Sequence, residues 1–502
     1  MKRTRSLSAN PRLLLLLLGL LLSVARAQVP ASWLGLAVHE EDGALIFVKG
    51  SVRFGYVPGL GWTEPLDPAL PPPLGEDLRL DELVLRAAGV IPADLPTARL
   101  RYRLTDTSLR LVLDLPPGPL PSLPRESGES PGWFTFYAPF FVANPPRLEG
   151  LSFRYDEHGT EIRYLAPAGR VYRWRTFPLG NPARFVMDAY FVPPPQEKEV
   201  AAGIRLRREY VWTPEPLELV RVVAEPGAWR LEPVGTPGKR QKLPEMAPGA
   251  LALLNGGYYD PKTATPIGLW VKDGVPLSYP YGRSALMWDG GLPQAAIPRF
   301  KAWVRTPDGE VHPVGINRWP ARLTAYTIPG RAGRSGENVI VVKGDEVIHT
   351  YPAPVELEGG YWALAYPAGD PYWSGLLKPG DRLSLYGALD PPVRYALEAG
   401  PLLIQGGHLA YAPEQERFSP NSPQIKKITN QAAVAWSEDG ELWLVVSGPT
   451  TPGTLAEQLL EMGAWGAIRM DAGGSAQLYV RGRLVFPVRE RRVVSGLAVY
   501  GR

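Results

Sequence analysis

The sequence predicts an α+β protein that is rich in β-structure, with a large C-terminal domain preceded by two small β-rich units. Three observations carry this: short stretches alternating apolar and polar residues at period two, glycine and proline punctuation throughout (53 Gly and 56 Pro in 502 residues), and one clear amphipathic helix near the C-terminus. At 45% hydrophobic and 21% charged residues the chain can build ordinary cores, which excludes wholesale disorder and fibrous repeats. The absence of cysteine excludes disulfides, thiolate nucleophiles and metal–thiolate sites, and five histidines without an HExxH pattern leave little for a zinc hydrolase.

The first 27 residues hold Lys2, Arg3, Arg5, Arg12 and Arg26, no acid, an apolar run from Leu13 to Leu22 and the small-x-small triplet Ala25-Arg26-Ala27. This pattern reads as a secretory signal peptide cut after Ala27, so the protein is expected to be exported to a periplasmic, cell-surface or secreted location. A membrane anchor is the less favoured reading, since the run falls short of the ~20 residues that span a bilayer. Taking those five bases from the 54 Lys+Arg leaves 49 against 50 Asp+Glu, a net charge of −1. The pI near 9.0 therefore belongs mostly to the leader, and the electrostatic case for a nucleic-acid partner disappears.

The next elements follow in order. A first small domain, 28–115, is expected to contain strands at Ala44–Val48 and Leu109–Leu115 and a short helix at Leu78–Ala88. A Pro-rich linker follows at 116–132. A second small domain, 133–200, alternates at Leu151–Tyr155, Glu161–Leu165 and Val171–Trp174 and closes on Asn181-Pro182-Ala183-Arg184 before a last strand. That ending resembles the AMIN-type β-domains of exported envelope proteins, which implies cell-wall contact through the N-terminal domains; a generic β-sandwich is the alternative. The C-terminal domain, 201–502, is expected to carry a helix from Thr454 to Met462 with a Thr454/Glu457 capping box and Gly463 at its C-terminal end. A strand, the turn Asp471-Ala472-Gly473-Gly474-Ser475 and a hairpin turning at Arg481-Gly482 follow.

Two clusters can carry chemistry. In the 471–475 turn, a carboxylate, the glycines Gly473 and Gly474, the Ser475 hydroxyl and exposed amides can bind a sugar or phosphate oxygen, although such a segment is more often only a turn. At Asn255-Gly256-Gly257-Tyr258-Tyr259-Asp260, an amide, two glycines that allow close approach, two aromatic faces and an acid suit a carbohydrate pocket. The plainer reading is a hairpin turn with both tyrosines in the core. A third glycine-bearing segment, Ala399-Gly400-Pro401, lies between them. His312 and His408 read as satisfied surface histidines, and Arg489–Arg492 as a solvated turn.

The ordered set of Asn255-Gly256-Gly257-Tyr258-Tyr259, Gly315-Ile316-Asn317-Arg318, Tyr326-Thr327, Ala399-Gly400-Pro401, Val445–Gly463, Met470–Ser475 and Glu490–Val499 resembles the phosphodiester glycosidases over about residues 217–499. The resemblance implies an exported hydrolase that cleaves the glycosidic bond of a sugar phosphodiester or related envelope saccharide. By that resemblance Asp471 is the key carboxylate at the sugar C1, with Asp260 the candidate second acid. Asn255 would hold a substrate hydroxyl or N-acetyl group, Tyr258 or Tyr259 would offer a stacking face, and Ser475 with the Gly473 and Gly474 amides would meet the departing oxygen. Three departures stand out: Gln431 replaces a family Arg, Ser447-Gly448-Pro449 replaces Asp-Gly-Arg, and Ala472 replaces a Gly. The first two remove cations expected to face phosphate. No cofactor is certain; a divalent cation such as calcium is compatible with carboxylate and carbonyl oxygens near Asp471, although no EF-hand-like spacing exists. The alternatives are a catalytically degenerate glycan binder and a structural envelope protein.

Overall fold

The computed structural model describes residues 28–117, 126–127, 133–166, 170–180, 182–317, 321–419, 421–486 and 488–502. The expected signal peptide, most of the Pro-rich linker, Asn181, Arg318 and Trp319 lie outside the described residues. The chain divides into two compact units, one ending at Pro194 and one beginning at Pro195.

The N-terminal unit corrects the expectation of two small domains. Thr97–Leu104 and Ser108–Asp114, from the first expected domain, share one five-stranded sheet with Phe141–Ala143, Arg170–Leu179 and Arg184–Val192 from the second. Apolar side chains from Val29 to Phe191 form a single core. Backbone pairing between distant segments outweighs the punctuation of the intervening prolines, since neither segment alone offers a complete sheet face. The short helix spans Glu82–Ala87, begun by the Asp81 side chain accepting from the Leu83 N–H.

In the C-terminal unit, seven elements position the site: β1 (Ala252–Asn255), β2 (Tyr395–Glu398), β3 (Thr429–Ser437), β4 (Leu442–Thr450), α1 (Pro452–Glu461), β5 (Ala464–Arg469) and β6 (Ser495–Gly501). β4, β3 and β5 are consecutive antiparallel neighbours in an eight-stranded sheet. β3 is an almost unbroken apolar run, Ala432–Trp436, because both its faces are covered. Ala433 and Ala435 pack under α1 with Leu455, Ala456 and Leu459. Ala432 and Val434 face the other way, toward Leu254, Leu478 and Leu497 of a second, five-stranded sheet. In that sheet β1 lies between β6 and the strand Leu478–Val480.

Helix α1 begins two residues before the expected Thr454. Thr451, not Thr454, is the cap, accepting from the Thr454 N–H at 3.2 Å, and Pro452 takes the first helical position where its missing N–H is not needed. Gly463 ends the helix as expected, with φ 90°. The hairpin turn at Arg481-Gly482 has positive φ at both residues, the geometry that matches strand twist. Strands dominate both units and the longest described helix has ten residues, so the architecture is β-rich and the helical share of the α+β expectation is small.

Candidate active site

The Asp471 turn follows β5 and is fixed from three sides. The Asn255 Nδ2 donates to the Asp471 carbonyl at 2.6 Å, and the Gln477 N–H donates to Asn255 Oδ1 at 3.0 Å. The Asp471 N–H donates to the Gly256 carbonyl at 3.0 Å. Gln477, fully buried, forms a reciprocal amide pair with the backbone of Arg491, accepting at 2.8 Å and donating at 3.0 Å. The termini of β1, β5 and β6 thus meet where the sheets abut, and three segments distant in sequence form one wall.

These contacts change several expected roles. Asn255 is 1% exposed and its amide is spent on backbone groups, so it positions the Asp471 turn and is not available to hold a substrate hydroxyl. Gly256 and Gly257 are buried; a Cβ would overlap Ser495 at the first and the Glu398 carbonyl oxygen at the second, so they admit neighbouring chain and not a ligand. Asp260 accepts from the Lys262 N–H at 3.0 Å and the Thr263 hydroxyl at 2.6 Å in its own turn. Those donors, the Thr263 hydroxyl foremost, hold its carboxyl below the usual range, which does not suit a general acid. Gly400 has φ +76° and a cis bond to Pro401; its carbonyl accepts from the Tyr258 hydroxyl at 3.0 Å, and the Pro401 carbonyl accepts from the Arg469 N–H at 3.1 Å.

A cavity of about 460 Å³ lies against this wall, lined by Tyr258, Tyr259, Arg283, Asp471, Ser475 and Arg491 among others. Burial pushes the Asp471 carboxyl up; the Ser475 hydroxyl, Arg469, the Ala472 N–H at 2.9 Å and Arg491 pull it back in part. The Ser475 hydroxyl is therefore engaged with Asp471. Gly473, at φ +66°, packs against Thr429, and Gly474 lies under the Arg491 guanidinium. Tyr258 receives a hydrogen bond from Arg469 Nη1 at 2.6 Å, and the Arg283 guanidinium lies 5.0 Å over its ring. Tyr259 is buried and bonds the Arg492 carbonyl at 3.2 Å. One face of Tyr258 carries the Arg283 guanidinium and Tyr259 packs into the core, while both still line the cavity.

Three arginines were not anticipated. Arg469, 1% exposed at the end of an otherwise apolar strand, donates from Nε to Gln431 Oε1 at 2.7 Å. Gln431 in turn donates to the carbonyls of Thr429 at 2.9 Å and Thr450 at 2.8 Å. The amide that stands where a family arginine was expected thus orients another arginine, and the cation arrives from the adjacent strand. Arg283 lies 3.9 Å over the Phe418 ring, and its buried Nε has no hydrogen-bond partner among the described residues. Arg491 borders the cavity instead of forming part of a purely solvated turn. Among the described residues none of the three forms an ion pair with a carboxylate, although buried or clustered guanidinium groups are normally paired. The legible signal was Arg469 itself, two residues before Asp471 at the end of a buried run. Arg283 had none, being brought in by a loop, and Arg491 was legible only as part of the Glu490–Val499 segment.

Two buried glutamates hold the Arg283 segment. Glu398 accepts from the N–H groups of Leu269 at 2.9 Å, Tyr281 at 3.0 Å and Arg283 at 2.7 Å; Glu416 accepts from Ser284 at 2.8 Å and Leu402 at 2.7 Å. Burial raises Glu398 to about 7 against these donors. Because the folded value lies above the usual 4.5, the unfolded chain ionises first as pH rises, and this group's contribution to stability falls between pH 4.5 and about 7. The expected loss is on the order of 3 kcal/mol. Urea midpoints at pH 4.5, 6 and 8 should decline by more in the wild type than in Glu398→Gln; parallel profiles would refute the assignment.

Among the described residues no three His, Asp or Glu side chains converge as a metal site, and no helix is long and apolar enough to cross a membrane. With this geometry in place, comparison with known proteins bears on the C-terminal unit. Residues 331–500 match the phosphodiester glycosidase family. The phosphodiester glycosidase match contains Asp471, Arg469, Gln431 and Arg491 but begins after Asn255, Tyr258 and Arg283, so the early segment of the expected resemblance is not covered. A crystal structure of a hypothetical protein from Synechocystis shares the fold: TM-score 0.51 at 21% identity, covering 93% of this chain and 92% of that one. A Burkholderia pseudomallei protein described as exported gives a TM-score of 0.39 at 16% identity, covering 86% of this chain and 99% of its own. The catalytic domain of zebrafish N-acetylglucosamine-1-phosphodiester alpha-N-acetylglucosaminidase gives 0.31 at 14% identity, covering 67% and 85%. No curated protein matches the chain.

Proposed function

We propose that the protein is an exported hydrolase that cleaves the bond between a sugar C1 and the oxygen of a phosphodiester, with Asp471 as the acting carboxylate. The observation that carries this reading is one cavity in which Asp471 and the arginines 283 and 491 meet, with Arg469 at its back, the arginines lacking carboxylate partners among the described residues. Arg283 and Arg491 line the cavity and form no ion pair among the described residues, which suits a phosphate, since planar guanidinium forks bind it through charge-assisted hydrogen bonds. The phosphate-facing cations that the sequence departures removed are supplied from other positions. The C1–O bond breaks as the phosphomonoester departs with the bonding electrons, while Asp471 stabilises the oxocarbenium-like centre or attacks it; water then adds to C1, displacing Asp471 where a bond has formed, and its proton passes to the departed phosphate or to solvent. A phosphate is a good leaving group and the arginines stabilise its charge, so a second carboxylate acting as general acid is not required. Export rests on the leader pattern of residues 1–27.

The test is turnover of a chromogenic glycosyl phosphodiester by the purified mature chain; no turnover above that of an Asp471→Asn variant would refute it. Arg491→Gln should raise KM by about 10–100-fold, the worth of a hydrogen bond between charged groups, with a smaller change in kcat. An unchanged KM in steady-state kinetics would remove Arg491 from the phosphate site. Among the described residues Asp471 is the one carboxylate bordering the cavity, and this favours as second reading a degenerate member that binds envelope glycan without cleaving it.

A further inference from the structure

We infer that a second cavity of the C-terminal unit is a subsite for an uncharged saccharide unit adjoining the arginine site, so that the substrate is an extended glycan and not a single sugar phosphodiester. This rests on the proposed function. The second cavity has a volume of about 530 Å³, and residues next to each other in the chain line one or the other. Thr265 and Pro266 line the second and Ile267 the first; Thr327 lines the second and Ile328 and Pro329 the first; Ser278 and Tyr279 line the second and Tyr281 the first. Consecutive Cα atoms are ~3.8 Å apart, so three separate chain segments each pass from one cavity to the next within a few residues. Asn317 ties two of these segments together, donating to the Pro280 carbonyl at 2.8 Å and accepting from the Thr327 N–H at 2.9 Å. The partition is therefore a fixed wall and the two cavities keep their relative position.

The chemistry of the two is opposite. The first is lined by Arg283 and Arg491; among the described residues the second is lined by a single acidic residue, Asp345, which pairs with Arg382 at 3.5 Å, beside hydroxyls and aromatic rings. The Tyr361 and Ser384 hydroxyls have no hydrogen-bond partner among the described residues, while the Tyr279 hydroxyl and the Trp362 indole N–H are satisfied by backbone carbonyls at 2.9 Å and 2.8 Å. The Lys343 ammonium lies 5.6 Å over the Tyr361 ring, but among the described residues no cation lines the cavity itself, so its free hydroxyls and aromatic rings suit a neutral sugar ring better than a second phosphate or an acyl chain.

The experiment uses the full mature chain carrying Asp471→Asn, with calorimetric binding of glycosyl phosphodiesters bearing no extra sugar, one neutral hexose on the glycosyl side, or one on the alcohol side. At least one extended ligand should bind about tenfold more tightly than the short one, and this gain should vanish in Ser384→Trp, which fills the cavity, and shrink in Tyr361→Ala. The side on which the gain appears gives the direction of the chain. Equal affinity for all three ligands, or a gain that survives Ser384→Trp in a variant with unchanged thermal midpoint, overturns the subsite. Binding of a free neutral disaccharide, lost in Ser384→Trp, would support it even if no phosphodiester were bound or hydrolysed, which separates its failure from that of the proposed activity.

Discussion

Replacing Asp471 by Asn is expected to lower kcat for a glycosyl phosphodiester by about a thousandfold or more, while the thermal midpoint stays level or rises. The two halves of this expectation have different causes. The carboxylate supplies the negative charge that the developing oxocarbenium centre needs, and a neutral amide of the same shape cannot supply it. Burial nevertheless penalises that charge in the folded protein, and the nearby hydroxyl, amide and guanidinium groups compensate only in part. Since the folded carboxyl is raised above its unfolded value, ionisation favours the unfolded chain as pH rises, and removing the charge relieves a cost at neutral pH. The Asn oxygen can still accept from the Ala472 N–H. Steady-state kinetics beside thermal melts decide the matter: a loss of activity with a comparable loss of stability would mean that Asp471 is structural.

Asn255→Ala is expected to destabilise the C-terminal unit by about 3 kcal/mol and to impair catalysis indirectly. The substitution leaves the Asp471 carbonyl and the Gln477 N–H buried without partners, and each such orphan costs about 1–3 kcal/mol. The Asp471 turn loses its anchor to β1, so the carboxylate is no longer held at one depth in the cavity. Denaturant unfolding should show a lower midpoint with an unchanged slope, and kcat should fall more than KM rises. A variant as stable as the wild type with raised KM alone would return Asn255 to the substrate-contacting role read from the sequence.

Much of the fold was legible because the local rules act within a few residues. Ala44–Lys49, Ser108–Asp114, Leu151–Asp156 and Gly159–Leu165 are strands where period-two alternation placed them. Gly463 and Arg481-Gly482 end and turn the chain where positive φ is required. The helix start was misplaced because both Thr451 and Thr454 satisfy a capping pattern, and the cap is Thr451, whose side chain accepts from the Thr454 N–H. The two expected N-terminal domains fused because strand pairing over long separations leaves no mark in composition. In the site, Asp471 lies against a cavity, whereas Asn255 and the paired glycines serve chain packing: their polarity and smallness are needed equally by a ligand and by a neighbouring backbone.

The sequence by itself determined that this chain builds strand-rich units, that the Asp471 segment is a glycine-bearing turn after a buried strand, and that its C-terminal part resembles the phosphodiester glycosidases. Only the tertiary structure decided which charges meet. Arg283, Arg469 and Arg491 stand up to 208 residues apart, the span from 283 to 491, and no local rule links them. Coulomb interaction acts through space and not along the chain, so the charge of a cavity follows from how sheets and loops pack and cannot be read from any one stretch of residues.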